Sequence, residues 1–137
     1  MAHAHEAPRD LTRNQGLVLN ALATAHAPLS AYDILDRLRD DGLRAPLQVY
    51  RALEKLVERG LAHRLESLNA FVACADAHCH GAGSVAFAIC QDCGKVEEFN
   101  DPAMAGRLAE ISAQKGFRPV LTMVEIRGQC AQCIGQA

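Results

Sequence analysis

Apolar residues recur at helical spacing three times in the first sixty positions. Leu17, Val18, Leu19, Leu22 and Ala25 form the first stripe, with Thr12 placed as its N-cap. Pro28 interrupts the pattern, and Ser30 with Asp33 three residues on gives an acidic variant of the capping box. Ile34, Leu35 and Leu38 then follow, and Asp41-Gly42 marks the end of a second helix. Pro46 suits a first helical turn, and Val49, Leu53, Leu56 and Val57 carry a third helix that Gly60 closes. The periodicity then shortens. Leu61–Glu66 and Ala70–Cys74 read as strands joined by a tight turn at Ser67-Leu68-Asn69. Three short helices followed by a hairpin predict a winged helix-turn-helix over residues 1–74.

Residues 75–84 are rich in Gly, Ala and Ser and read as a hinge loop. Val85–Cys90 and Lys95–Phe99 are strand-like. Asp101-Pro102 opens a helix that Lys115-Gly116 ends, and Val120–Ile126 is a third strand. The expected fold class is α+β: a winged helix followed by a small α/β unit of ββαβ order over 85–137. That unit is too small to bury a large core alone, which favours a metal ion, a partner subunit or both.

Composition sharpens this picture. Half of the 137 residues are apolar, but only 4% are aromatic and none is Trp, so the core must be aliphatic. No apolar run approaches the ~18 residues of a membrane helix. Residues 1–10 contain no apolar core of a signal peptide, so the expected location is cytoplasmic, with no membrane partner. Net charge is −2: residues 1–66 hold nine basic and nine acidic side chains, residues 67–137 five and seven. Neither part is a basic field, so a case for nucleic acid must rest on local pattern.

Six cysteines carry the strongest chemical signal. Cys90-x-x-Cys93 and Cys130-x-x-Cys133 are two knuckles, each presenting two thiolates from one tight turn. Together they make a closed four-sulfur shell suited to structural zinc, with no position left for a substrate. The 36 residues between them hold a strand, a helix and a strand that can fold back. Redox-active knuckles or plain buried thiols are the competing readings. His63, Cys74, His78, Cys79, His80, Glu97 and Glu98 are further potential ligands, and strand alternation puts Glu97 and Glu98 on opposite faces. One thiolate with imidazoles favours zinc over magnesium or manganese. The plainer alternative is a buried Cys74, a solvated loop and surface acids.

Leu11-Thr-Arg-Asn-Gln15, Ser30-Ala-Tyr-Asp33, Val49-Tyr-Arg-Ala-Leu53, Cys90-x-x-Cys93-Gly-Lys-Val96 and Cys130-x-x-Cys133 span nearly the whole chain. In these segments the sequence resembles the ferric uptake regulator (Fur) family of metal-sensing repressors. It is most similar to the zinc-sensing branch, because Cys74 stands where the iron sensors have Glu. The resemblance implies a homodimer that binds double-stranded operator DNA through the winged helix and dimerises through the second unit. It implies two Zn²⁺ per subunit: a structural ion on Cys90, Cys93, Cys130 and Cys133, and a regulatory ion on His63, Cys74, His80 and Glu98. His78 is an alternative or additional ligand, since the loop spacing departs from the family pattern.

The same resemblance makes Pro46 to Arg59 the recognition helix. Arg51 is then expected at a guanine edge, Tyr50 on a thymine methyl or sugar, and Gln48 at a phosphate or base edge. Arg13 and Arg64 are expected on phosphates. The implied function is a zinc-responsive repressor of zinc-uptake genes, not an enzyme, with no small-molecule substrate. The alternatives are a sensor of iron, nickel or peroxide within the family, or a thiol-redox protein using the same knuckles.

Overall fold

The computed structural model describes residues 10–74 and 84–135. The chain divides into two compact units, Met1–His80 and Gly81–Ala137.

In the first unit, helix α1 spans Arg13–Thr24, α2 spans Ala31–Leu38 and α3 spans Pro46–Glu58. Each start has a local cause. The Thr12 hydroxyl accepts from Gln15 N at 3.2 Å, and the Gln15 amide oxygen accepts from Thr12 N at 3.2 Å. Ser30 and Asp33 repeat this exchange at α2, with distances of 3.1 and 3.0 Å. Pro46 opens α3, where its missing N–H is no loss. A short 3-10 turn, Arg39–Asp41, extends α2 and ends at Gly42, whose φ of +101° suits glycine far better than any L side chain.

The apolar stripes read from the sequence meet in one core. Val18 and Leu22 of α1, Ile34 and Leu35 of α2, and Val49, Leu53 and Leu56 of α3 are all buried. Burying each such side chain is worth about 1.5–3 kcal/mol, so these seven residues dominate the unit's stability. Strands β1 (Ala62–Leu65) and β2 (Ala70–Ala73) form the antiparallel wing, with His63 opposite Val72. Leu29 adds a bridge to Phe71 through two backbone hydrogen bonds of 3.0 and 2.8 Å, which ties the α1–α2 connection to the wing.

The second unit contains β3 (Ser84–Cys90), β4 (Val96–Phe99), helix α4 (Pro102–Gln114), β5 (Thr122–Gly128) and a short helix α5 (Ala131–Ile134). The sheet order is β4-β3-β5. β4 pairs antiparallel with β3, and β5 pairs parallel with it, from Ser84 beside Thr122 to Cys90 beside Gly128. The crossover through β4 and α4 is what a parallel pair requires. The strand expected at Val120–Ile126 begins and ends two residues later. Pro119 lacks an N–H, Val120 is 89% exposed, and pairing starts only opposite Ser84. The expected hinge loop lies outside the described residues except for Ser84, which opens β3.

Helix α4 has no buried residue, and Phe117, Val120, Leu121 and Ile126 are exposed large apolar side chains. β5 has one open edge. The second unit therefore leaves apolar surface uncovered.

Candidate metal centres and nucleic-acid interface

The two knuckles follow the C-terminal ends of the parallel strands β3 and β5. Register alone sets Cys90 beside Gly128, two residues before Cys130. The 36-residue separation in sequence thus vanishes in space. In the first knuckle Gly94 N donates to the Cys90 carbonyl at 3.0 Å, and Gly94 adopts φ +78°, which disfavours a side chain at this turn. In the second, α5 caps itself on Cys130, whose carbonyl accepts from Cys133 N and Ile134 N at 3.0 and 2.9 Å.

One sulfur from each of the four cysteines lies within 4.8 Å of the others. Cys93 Sγ and Cys130 Sγ stand 3.7 Å apart, and all four thiols are free. A tetrahedral shell with Zn–S bonds of about 2.3 Å has S···S edges of about 3.8 Å. A disulfide needs about 2.05 Å. The spacing and the all-sulfur donor set fit a zinc ion.

The thiols are also electrostatically divided. Cys90 falls to about 6, chiefly because the backbone N–H of Cys93 and then that of Cys130 point at its sulfur, at 3.5 and 3.3 Å. Cys130 is lowered by the backbone N–H of Cys133 and by its thiol. Cys133 is raised because its S–H is used toward the Cys130 and Cys90 sulfurs. The Lys95 N–H pulls Cys93 down, but hydrogen bonding to Cys90, burial and hydrogen bonding to Cys130 outweigh it, and Cys93 is raised. Four sulfurs this close cannot all ionise without a cation between them. A divalent ion resolves the conflict by taking all four as thiolates.

The second ligand set involves the wing. His63 sits on β1 and is buried; Cys74 directly follows β2. Their ligand atoms lie within 4.8 Å of each other. Hairpin pairing brings them together, helped by Cys74 N donating to the Leu61 carbonyl at 2.9 Å. Cys74 is disulfide-bonded in this structure, so service as a thiolate ligand requires its reduction. Glu98 is half-buried on β4, while Glu97 is exposed and pairs with Lys95 at 3.0 Å. His78, Cys79 and His80 lie outside the described residues.

On α3, Arg51 is exposed and Tyr50 is 45% exposed. Among the described residues no ion pair involves Arg51, so Glu54 does not occupy it through the i,i+3 spacing. Leu47, one turn earlier, is an apolar residue off the buried stripe and is 58% exposed. Gln48, expected at a phosphate or base edge, makes local hydrogen bonds in this structure. Its side-chain oxygen accepts from Arg44 N at 3.0 Å and Ala45 N at 3.2 Å, so it caps the helix start. Arg13 Nη2 donates to the Asp41 carbonyl at 2.8 Å, linking α1 to the turn after α2. Arg64 Nη2 donates to Asn69 Oδ1 at 3.0 Å and Nη1 stands 3.7 Å from Glu66, so the wing turn holds it. The turn places Asn69 at φ +48°, a conformation Asn tolerates.

A helix-turn-helix with a wing, carried in one chain with a four-thiol shell, defines a winged-helix protein whose second unit carries a candidate metal site. The chain belongs to the ferric uptake regulator family, whose model matches residues 10–127. It is 35% identical over 127 residues to the zinc uptake regulation protein of Escherichia coli strain K12, covering 90% of this chain and 72% of that protein. A crystal structure of holo XcZur superposes with a TM-score of 0.82 at 39% identity, over 90% of this chain and 86% of that one. A zinc uptake regulator complexed with zinc and DNA gives a TM-score of 0.84 at 34% identity, over 90% and 83%.

Proposed function

We propose that this protein is a zinc-responsive transcriptional repressor, a homodimer that binds operator DNA when loaded with zinc and controls zinc-uptake genes. The observation that carries the reading is the pairing of an exposed recognition helix with a four-sulfur shell of zinc dimensions. Similarity to zinc uptake regulators over 90% of the chain supports it.

In this reading each subunit takes two zinc ions. Cys90, Cys93, Cys130 and Cys133 hold the structural one. The regulatory one takes His63 and Cys74 from the wing, Glu98 from β4 and His80 from the connecting segment, with His78 as an alternative or additional ligand. When bound, this ion supplies an electrostatic bond between elements that are far apart in sequence. The chain's residues do the rest. The wing holds His63 and Cys74 side by side, α3 presents Arg51, Tyr50 and Leu47 to the major groove, and the exposed apolar residues of the second unit pack against a second copy. Zinc acts as a switch because it binds the DNA-competent arrangement more tightly and so shifts the population toward it. The reducing cytoplasm keeps Cys74 available as a thiolate.

The test is operator binding by the reduced dimer in a gel shift, titrated separately with zinc, iron(II) and nickel. Retention that appears with zinc at the lowest free metal concentration supports the reading. Tight operator binding in a metal chelator, or a response to iron(II) alone, overturns it.

A further inference from the structure

Apart from contacts among the four sulfurs, three hydrogen bonds among the described residues join the two knuckles without using any metal. Gln91 N donates to the Gly128 carbonyl at 2.7 Å, Cys130 N donates to Cys90 Sγ at 3.3 Å, and Gln129 Nε2 donates to Asp92 Oδ2 at 2.7 Å. The first continues the β3–β5 ladder and the second depends on a ligand sulfur. The third is different in kind. It is a short, charge-assisted bond between two side chains that are not ligands. Each partner adjoins a ligand: Asp92 lies inside the first knuckle, and Gln129 immediately precedes Cys130.

We propose that the Asp92–Gln129 pair is a positioning clamp that holds the two knuckles in register and slows zinc loss from the four-sulfur shell. This rests on the assignment of zinc to that shell. When one thiolate leaves the ion, the knuckles separate unless another link keeps the sulfur close. A bond two residues from Cys90 and one from Cys130 supplies that link. It raises the chance that the sulfur rebinds before the ion escapes, which is an effective-concentration effect. Both side chains are exposed, so the bond matters little to folding and acts mainly on the ion. Outer groups that hydrogen-bond directly to metal ligands typically change metal affinity 10- to 100-fold; this bond joins the residues beside the ligands and is solvent-exposed, so its effect belongs at the lower end, about 10-fold.

The experiment follows zinc transfer from the reduced, full-length dimer to a chromogenic chelator. A Cys74→Ser background confines the signal to the four-thiol shell. Asp92→Ala and Gln129→Ala should each speed release about 10-fold. The double variant should be no faster than either single one, because both remove the same bond. Asp92→Asn should stay within about twofold of the background rate, since its amide oxygen still accepts from Gln129. An Asp92→Ala protein that keeps no zinc through purification, beside a loaded Asp92→Asn protein, is the same result in stronger form. Alanine variants with unchanged rates overturn the clamp. So does Asp92→Asn releasing as fast as Asp92→Ala, which assigns the effect to charge, or a double variant that multiplies the two effects. Elemental analysis of the background protein keeps the underlying assignment separate: absence of zinc there refutes the shell, whereas a loaded shell with unchanged rates refutes only the clamp.

Discussion

Arg51 and Gln48 sit three residues apart on α3 and do different work. Gln48 turns its amide back onto Arg44 and Ala45, while Arg51 points a guanidinium outward. Arg51→Ala should cost about 1–3 kcal/mol on operator DNA and relax preference at one base pair. Binding curves over a set of single-base operator variants check this; an equal loss on every sequence makes Arg51 a phosphate contact instead. Cys74 has the parallel position in the metal chemistry. Under reducing conditions Cys74→Ser should abolish the zinc dependence of operator binding and leave a folded dimer, read by gel shift against free zinc. Zinc dependence like that of the parent protein removes Cys74 from the site. Both residues were legible in the sequence through resemblance: Arg51 lies in the Val49–Leu53 segment of the matching helix, and Cys74 stands where the iron sensors have Glu. The capping role of Gln48 was not, because a Gln three residues after Ala45 signals a cap only once the backbone path is known.

The helices begin where short-range signals put them. At α2 the Ser30–Asp33 exchange satisfies N–H groups that a helix start leaves bare. Ser30→Ala should lower stability by about 0.5–2 kcal/mol in denaturant unfolding. Asp33 contributes separately through its charge. Hydrogen bonds from the backbone N–H and then the hydroxyl of Ser30 hold its carboxyl below the ordinary value of 3.8. A lowered carboxyl stabilises the fold at pH above the unfolded value and ceases to do so as pH falls through the lower, folded value. Wild type should therefore exceed Asp33→Ala by roughly 0.3–1 kcal/mol at neutral pH, a modest figure because the group is exposed. The gap should close as pH falls below 3.8, which urea melts at a series of pH values will show. Strand limits were less legible than helix starts. β5 extends to Gly128, beyond the apolar run, because its parallel neighbour ends at Cys90.

The two units draw stability from different sources. The first has a continuous core of Val18, Leu22, Ile34, Leu35, Val49, Leu53 and Leu56. The second buries little beyond β3, where Val85, Ala86, Phe87, Ile89 and Cys90 are covered. Metal and a partner subunit must supply the rest. Stripping zinc with a strong chelator, or Cys130→Ser, should lower the thermal midpoint and shift dimer toward monomer in sedimentation. Helix signal from the first unit should survive to a higher temperature. A chelated protein with an unchanged melting curve makes the shell dispensable. The net charge of −2 fits the same account. A protein without a basic field gains little from counterion release alone, so its hold on DNA depends on correctly placed recognition helices.

Local chemistry wrote much of this protein into its sequence: three amphipathic helices with their caps, the wing, the two Cys-x-x-Cys turns and the kinds of ligand available. These follow from interactions spanning a few residues, which spacing alone reveals. Pairings across long stretches of chain came from the fold. Parallel register carried Cys90 to within reach of Cys130, hairpin register set His63 beside Cys74, and the meeting of the knuckles joined Asp92 to Gln129. No local pattern encodes such contacts, because they exist only after apolar burial and strand pairing have closed the chain on itself.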